Sequence, residues 1–237
     1  MVWITHAHFG LSSVNIRMEK EMKAVIFDLD GTLTDSIESI AYCANEALKH
    51  VGYGPFEKEE YKRFVGDGAK TLLERCLKNR GDERFVHFEE LEQEYKKIFK
   101  EYCTYKVTPY EGIITLLEEL RRNEIQIAVL SNKPHEQTVK VVESIFGEDC
   151  FDMVVGQNSD IAKKPSPDGI YYISEHLNIP ISEIVYVGDT DTDMKTGKRA
   201  GALTVGVLWG FRNREELQKN EADIIIQYPG ELLEYVL

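Results

Sequence analysis

The sequence predicts an α/β protein: an open, doubly wound parallel sheet of Rossmann-like type, with an all-helical block inserted after the first strand. Three observations predict it. Beyond Thr108-Pro109, short apolar runs alternate with segments of helical periodicity at crossover spacing. Between Ser36 and Thr108 the periodicity is helical throughout. The polar clusters that could carry chemistry fall at the carboxyl ends of predicted strands, where open α/β sheets bind ligands.

The first strand is Val25-Ile26-Phe27, and it runs directly into Asp28-Leu29-Asp30-Gly31-Thr32-Leu33-Thr34-Asp35-Ser36. On an extended backbone Asp28 and Asp30 project to the same side, because side chains repeat every second residue. Two anions crowded together are costly unless they share a cation. A strand ending in an ordinary Asx-type turn uses the same residues, so this segment alone leaves both readings open.

After Ser36, the stripe Ile37, Ile40, Ala41, Ala44, Ala47 and Leu48 marks a helix ending near Gly52. Phe56 to Val65, Ala69 to Leu77 and Phe88 to Tyr102 carry the same periodicity. The Glu/Lys-rich run from Glu89 to Glu101 reads as a solvated helix face. Helix Gly112 to Arg122 then leads to strand Gln126 to Leu130, and helix His135 to Phe146 leads to strand Met153 to Val155. Helix Asp168 to Leu177, strand Ile184 to Val187, helix Met194 to Ala200, strand Leu203 to Val207 and strand Asp223 to Ile226 complete the pattern. The expected organisation is an N-terminal extension at 1–21, a core at 22–35 and 109–237, and a helical cap at 36–108. Insertion beside the carboxylate pair suits a lid that closes over a site and excludes water.

Composition narrows the partners. The chain has 237 residues and a net charge of -13, which argues against nucleic acid or an anionic membrane surface. Cys43, Cys76, Cys103 and Cys150 are scattered without a Cys-x-x-Cys pair, so neither a zinc knuckle nor a disulfide framework is indicated and a cytoplasmic setting is expected. No apolar run approaches the roughly 20 residues that span a bilayer. The segment before Met22 contains Trp3, His6, His8 and Phe9 but no continuous apolar core, unlike a secretory signal. Whether the chain is a monomer or a homodimer is not encoded legibly.

Three further segments bear on chemistry. In Ser131-Asn132-Lys133-Pro134, a hydroxyl at a strand end precedes a helix amino terminus, which suits phosphate binding, although Ser-Asn is also an ordinary cap. Lys163-Lys164-Pro165-Ser166-Pro167 is a proline-stiffened loop, with Lys163 expected in solvent. In Gly188-Asp189-Thr190-Asp191-Thr192-Asp193, Asp189 follows an apolar strand and could join Asp28 around a hard divalent ion. A calcium loop is the competing reading, but the glycine and terminal glutamate of an EF-hand are missing. Asp191 reads as a helix-start residue.

Asp28 to Ser36 resembles the signature of the haloacid dehalogenase-like (HAD) superfamily, and the three segments above resemble its later motifs, in order. The likeness runs from Lys23 to the C-terminus and is nearest to phosphoglycolate phosphatases. It implies that Asp28 is the nucleophile of a magnesium-dependent phosphatase acting through an aspartyl-phosphate. By the same resemblance Asp30 is the acid and base, Ser131 binds the transferred phosphate, and Lys164 offsets charge beside it. Asp28, the Asp30 carbonyl and Asp189 would ligate Mg2+, with Asp193 holding metal-bound water or orienting Lys164. Gly31, Thr32 and Asn132 would complete the phosphate cradle.

Phe64-Val65-Gly66-Asp67-Gly68-Ala69-Lys70 resembles the cap loop of the same phosphatases. Its two glycines let backbone N–H groups approach an anion, and Gly66, Asp67, Gly68 and Lys70 are the expected specificity residues, Lys70 facing a substrate carboxylate. A plain helix-start turn accounts for the same segment. The expected partner is a small phosphorylated metabolite, 2-phosphoglycolate first. An inorganic pyrophosphatase, a sugar-phosphate phosphatase, a β-phosphoglucomutase-like transferase and a phosphometabolite-binding protein share the motifs.

Overall fold

The computed structural model describes residues 21–237, so the N-terminal extension lies outside the described residues except for Glu21. Strand β1 (Ala24–Phe27) and the two-residue β2 (Thr34–Asp35) lead into helices α1 (Ile37–His50), α2 (Lys58–Tyr61), α3 (Gly68–Asn79) and α4 (Phe88–Tyr102). The chain returns through β3 (Thr108–Pro109), α5 (Ile113–Arg122), β4 (Gln126–Pro134), α6 (His135–Phe146) and β5 (Met153–Gln157). It ends with α7 (Asp168–Leu177), β6 (Ile184–Gly188), α8 (Asp191–Ala200), β7 (Leu203–Val207), α9 (Arg214–Lys219), β8 (Ile224–Ile226) and α10 (Leu233–Val236).

The main sheet is parallel, in the order β5-β4-β1-β6-β7-β8. Chain order runs outward from β1 through β4 and β5, then returns to the other flank of β1 for β6. The carboxyl end of β1 is therefore the point where the strand order reverses. All four β1 residues are buried, since Phe27 lies between Val129 and Val187 and each face is covered: Val25 and Phe27 belong to one apolar cluster, Ala24 and Ile26 to the other.

The helical stripe of α1 is buried as its spacing predicts, and α1 packs against α4. An antiparallel pairing of Thr34 with Pro109 and Asp35 with Thr108 ties together the two ends of the four-helix segment. That segment thus leaves and rejoins the sheet a few residues from Asp28.

Several elements depart from the sequence reading. The helix expected over Phe56 to Val65 is confined to α2, and Arg212 donates to the carbonyls of Lys62 and Val65 where the chain turns through Gly66 at φ +113°. Phe56, Tyr61 and Phe64 instead form a cluster of edge-to-face rings. Strand β4 runs to Pro134, past the expected end at Leu130, through an irregularity that resumes pairing with Gln157. Helix α8 starts at Asp191, ahead of Met194, because Thr190 and Asp193 form a reciprocal capping box. The short α9 and α10 were not expected; neither reaches the length at which periodicity is readable.

Candidate active site

The carboxyl ends of β1, β4 and β6 converge on one buried polar cluster. Asp28 leaves β1 with its backbone N–H bonded to the Val187 carbonyl, which fixes its position against β6. The residue is 7% exposed. Lys164, from the loop after β5, reaches it: Nζ lies 2.7 Å from Asp28 Oδ1 and 2.7 Å from Asp193 Oδ1. The other Asp28 oxygen accepts no hydrogen bond among the described residues.

Asp193 is held on every side. The Tyr186 hydroxyl donates to its Oδ1 at 3.0 Å, while the Thr190 hydroxyl and backbone N–H donate to Oδ2 at 2.6 and 3.1 Å. A fully engaged carboxylate of this kind orients Lys164 and has little freedom to do more. Asp189 is completely buried, accepting from Thr32 Oγ1 at 3.1 Å and from the Phe211 N–H at 2.7 Å. Gly31 has φ +92°, and a Cβ there would collide with the Asp189 carboxylate. Trp209 Nε1 donates to the Thr32 carbonyl at 2.9 Å and so pins the same loop.

Electrostatics follow from this burial. Burial is the largest influence on Asp28 and raises it; Lys164 pulls the other way and Asp193 adds to the rise, leaving the carboxyl pushed up to about 7 from 3.8. Burial, then the charges of Asp193 and Asp28, hold Asp189 well above the carboxylate range. Burial alone would depress Lys164, but Asp193 and Asp28 outweigh it and the ammonium stays protonated. Oxygens of Asp28, Asp189 and Asp193 lie within 4.8 Å of one another. Three carboxylates against one ammonium leave two negative charges, a balance that favours uptake of protons or of a small divalent cation. The all-oxygen donor set suits magnesium.

Asp30 is partly open, and Lys133 Nζ lies 2.5 Å from its Oδ1. Ser131 is buried, its hydroxyl accepting from the Lys133 N–H at 3.2 Å. A cavity of about 510 Å³, counting its open mouth, is lined by Asp28, Asp30, Ser131, Asn132 and Lys133 from the sheet side and by residues of the four-helix segment opposite.

The side chains of Asn132 and Lys70 have other partners in the structure. Both amide hydrogens of Asn132 are engaged, one with the Lys164 carbonyl at 3.1 Å and one with the Gly66 carbonyl at 3.2 Å, and its oxygen accepts from the Lys164 N–H at 2.9 Å. Its side chain therefore positions the lysine loop and has no hydrogen left for phosphate. Lys70 lies on the exposed face of α3, 3.8 Å from Glu74 and outside the cavity lining, because its helical position points it away from the sheet. Gly66 and Gly68 do line the cavity.

Asp67 fastens the loop to the core. The Thr192 hydroxyl donates to Oδ1 at 2.7 Å, Arg75 to Oδ2 at 2.5 Å, and Lys163, expected in solvent, donates to the Asp67 carbonyl at 3.0 Å. Burial pushes the Asp67 carboxyl up, yet the bonds from Thr192 and Arg75 outweigh it and hold the group below its ordinary value. Thr192, Arg212 and Lys133 were given no role from sequence. Thr190, by contrast, carries a local signal, a Thr three residues before Asp193 at a helix start.

A parallel sheet carries a buried Asp–Lys–Asp cluster at its switch point, under a helical segment, where open α/β sheets bind ligands. Residues 25–207 match the haloacid dehalogenase-like hydrolase family. The chain belongs to that family and is a phosphoric monoester hydrolase. It is 32% identical over 212 residues to a phosphoglycolate phosphatase of Aquifex aeolicus, covering 90% of this chain and 95% of that one. A phosphoglycolate phosphatase of Neisseria meningitidis is also 32% identical, over 86% of this chain and 87% of its own. The crystal structure of a Lactobacillus delbrueckii subsp. bulgaricus protein, 30% identical, superposes with a TM-score of 0.86 over 92% of this chain and 99% of that one.

Proposed function

We propose that the protein hydrolyses a small phosphate monoester, 2-phosphoglycolate first among them, through an aspartyl-phosphate on Asp28. The observation that carries this reading is Asp28 itself, with one oxygen on Lys164 and the other unbonded among the described residues, lining the cavity beside Asp30. In the first step the Asp28 oxygen forms a bond to phosphorus as the ester bond breaks, and Asp30 gives a proton to the departing oxygen. In the second, Asp30 takes a proton from water, which attacks the same phosphorus and regenerates the Asp28 carboxylate. Lys164 lowers the repulsion between nucleophile and phosphoryl oxygens, and Ser131 donates to the phosphoryl group.

Asp28, the Asp30 carbonyl and Asp189 would hold Mg2+, which supplies charge neutralisation on the phosphoryl oxygens. Gly31 and Thr32 serve this group indirectly by placing Asp189. Residues 36–108 act as the cap over a core of 22–35 and 109–237, with Gly66 and Gly68 presenting backbone to the substrate. The phosphoglycolate phosphatases above support the substrate, and four free cysteines accord with a cytoplasmic setting. Among the described residues no helix is long and apolar enough to cross a membrane.

The test is phosphate release from 2-phosphoglycolate, pyrophosphate, β-glucose 1-phosphate and an aryl phosphate, each with magnesium and with chelator. A magnesium-dependent preference for 2-phosphoglycolate of about a hundredfold, near 2.7 kcal/mol in the transition state, is expected. Equal, slow turnover of the whole panel contradicts the substrate; no turnover contradicts the enzyme reading.

A further inference from the structure

We infer that Lys133 determines specificity by binding a carboxylate on the leaving group, an inference that rests on the hydrolase reading of Asp28 and Asp30. Lys133 is the one cation among the described residues lining the cavity. Its side chain is 3% exposed, whereas its partner Asp30 is 17% exposed. Asp30 keeps part of its contact with water, whereas an ammonium buried this deeply loses hydration that one neighbour only partly replaces. The asymmetry points to a second anion that completes the lysine's coordination when the cavity is filled.

The surroundings of the ammonium fit that role. The rest of the wall facing the four-helix segment is apolar or aromatic, with Ile40, Leu72, Tyr95 and Phe99 contributing. Phe99 sets its ring 5.5 Å from Lys133 Nζ, and Tyr95 is 3% exposed with its hydroxyl free of hydrogen bonds among the described residues. In such a cavity an uncharged leaving group would leave the ammonium with Asp30 alone. An anionic one gains a charge-assisted bond in a poorly hydrated place, where such bonds are strongest.

The position of Lys133 also restricts where the anion can be. The ester oxygen that Asp30 protonates must come within hydrogen-bond reach of that carboxyl. Because Nζ is 2.5 Å from Asp30 Oδ1, the anion must lie close to the ester oxygen along the chain. A carboxylate separated from that oxygen by a single carbon, as in phosphorylated glycolate, meets this condition. Lys70, on the outer face of α3, does not reach the same place.

The experiment compares kcat/KM for 2-phosphoglycolate, ethyl phosphate and phosphoethanolamine, whose leaving groups are anionic, neutral and cationic on the same two-carbon frame. Wild type should prefer the anionic ester by about a hundredfold or more, since a site built around a buried polar group discriminates against analogues that leave it unpaired. In Lys133→Met that ratio should fall to within about fivefold of unity, whatever loss all three esters share through Asp30. Lys133→Arg, which keeps the charge, should retain a clear part of the ratio. Wild type that turns over ethyl phosphate but not 2-phosphoglycolate contradicts the substrate reading and this inference together. Wild type that prefers 2-phosphoglycolate, with the full preference kept in Lys133→Met, contradicts this inference alone. If Lys133→Met does not fold, Lys133→Gln makes the same comparison, and the full preference kept in that variant likewise overturns it.

Discussion

Lys164 holds Asp28 across 136 residues of sequence, with Nζ 2.7 Å from Oδ1 and both side chains buried. The same ammonium touches Asp193, which is itself fixed by Tyr186 and Thr190. The charge environment of Asp28 is thus set by residues from the loop after β5, β6 and the start of α8.

Replacing this lysine should therefore damage chemistry more than binding. Opposite unit charges near 4 Å interact by about 4 kcal/mol at an effective dielectric near 20, which corresponds to roughly a thousandfold in rate. Lys164→Met should lower kcat by about that factor. Lys164→Arg should not restore it, because the larger planar guanidinium does not fit where the ammonium is packed between Asp28 and Asp193 at 3% exposure. Steady-state kinetics check both.

Metal and protons should compete for Asp28. Its folded carboxyl is raised to about 7 from 3.8, mainly by burial, so the metal-free native state holds a proton that the unfolded chain releases. This contribution to stability is complete below 3.8 and is lost as pH rises through 7. Cation binding displaces the proton, so magnesium affinity should rise about tenfold between pH 6 and pH 8. Calorimetric titration at both values measures it, with Asp28→Asn as the control that weakens the dependence while leaving the part owed to Asp189.

The loop between α2 and α3 should be held shut by Asp67. Its bond from Thr192 Oγ1 joins this loop to the start of α8, and a hydrogen bond to a charged group contributes about 1.5 to 3 kcal/mol. Thr192→Val is expected to raise KM for the preferred ester by about tenfold while changing kcat much less. An unchanged KM would show that the Asp67 contact does not govern closure.

Gly31→Ala should disable the site through Asp189. At φ +92° a side chain is strained, and the added methyl meets a buried carboxylate with no room to retreat. The cost should be about 2 kcal/mol or more in stability, with magnesium affinity falling in the same variant. Denaturant unfolding and metal titration together separate this from a loss of stability alone.

How much of this was legible depends on the range of each signal. Asp28, Asp30 and Asp189 could be picked out because an apolar run followed by a carboxylate is a local pattern, and the parallel topology follows from the alternation of such runs with helices. The helix expected over Phe56 to Val65 is confined to Lys58–Tyr61, and what takes the carbonyls beyond it is non-local: Arg212, 150 residues from Lys62, donates there. The same holds for Asn132, whose amide serves the Lys164 loop, and for the Asp67–Thr192 and Asp30–Lys133 pairs. Periodicity reports which face of an element is buried, and it carries no information about which loop tip a side chain will meet. Lys70 shows the converse, a residue in a suggestive segment that helix geometry turns outward.

The central claim is that phosphate passes through Asp28. Enzyme turning over 2-phosphoglycolate with magnesium, quenched within a single turnover and reduced with borohydride, should yield homoserine at position 28 when the peptides are sequenced by mass spectrometry, because an acyl phosphate is reduced where a free carboxylate is not. Full activity with an unmodified Asp28, or with homoserine at another aspartate, would contradict the account.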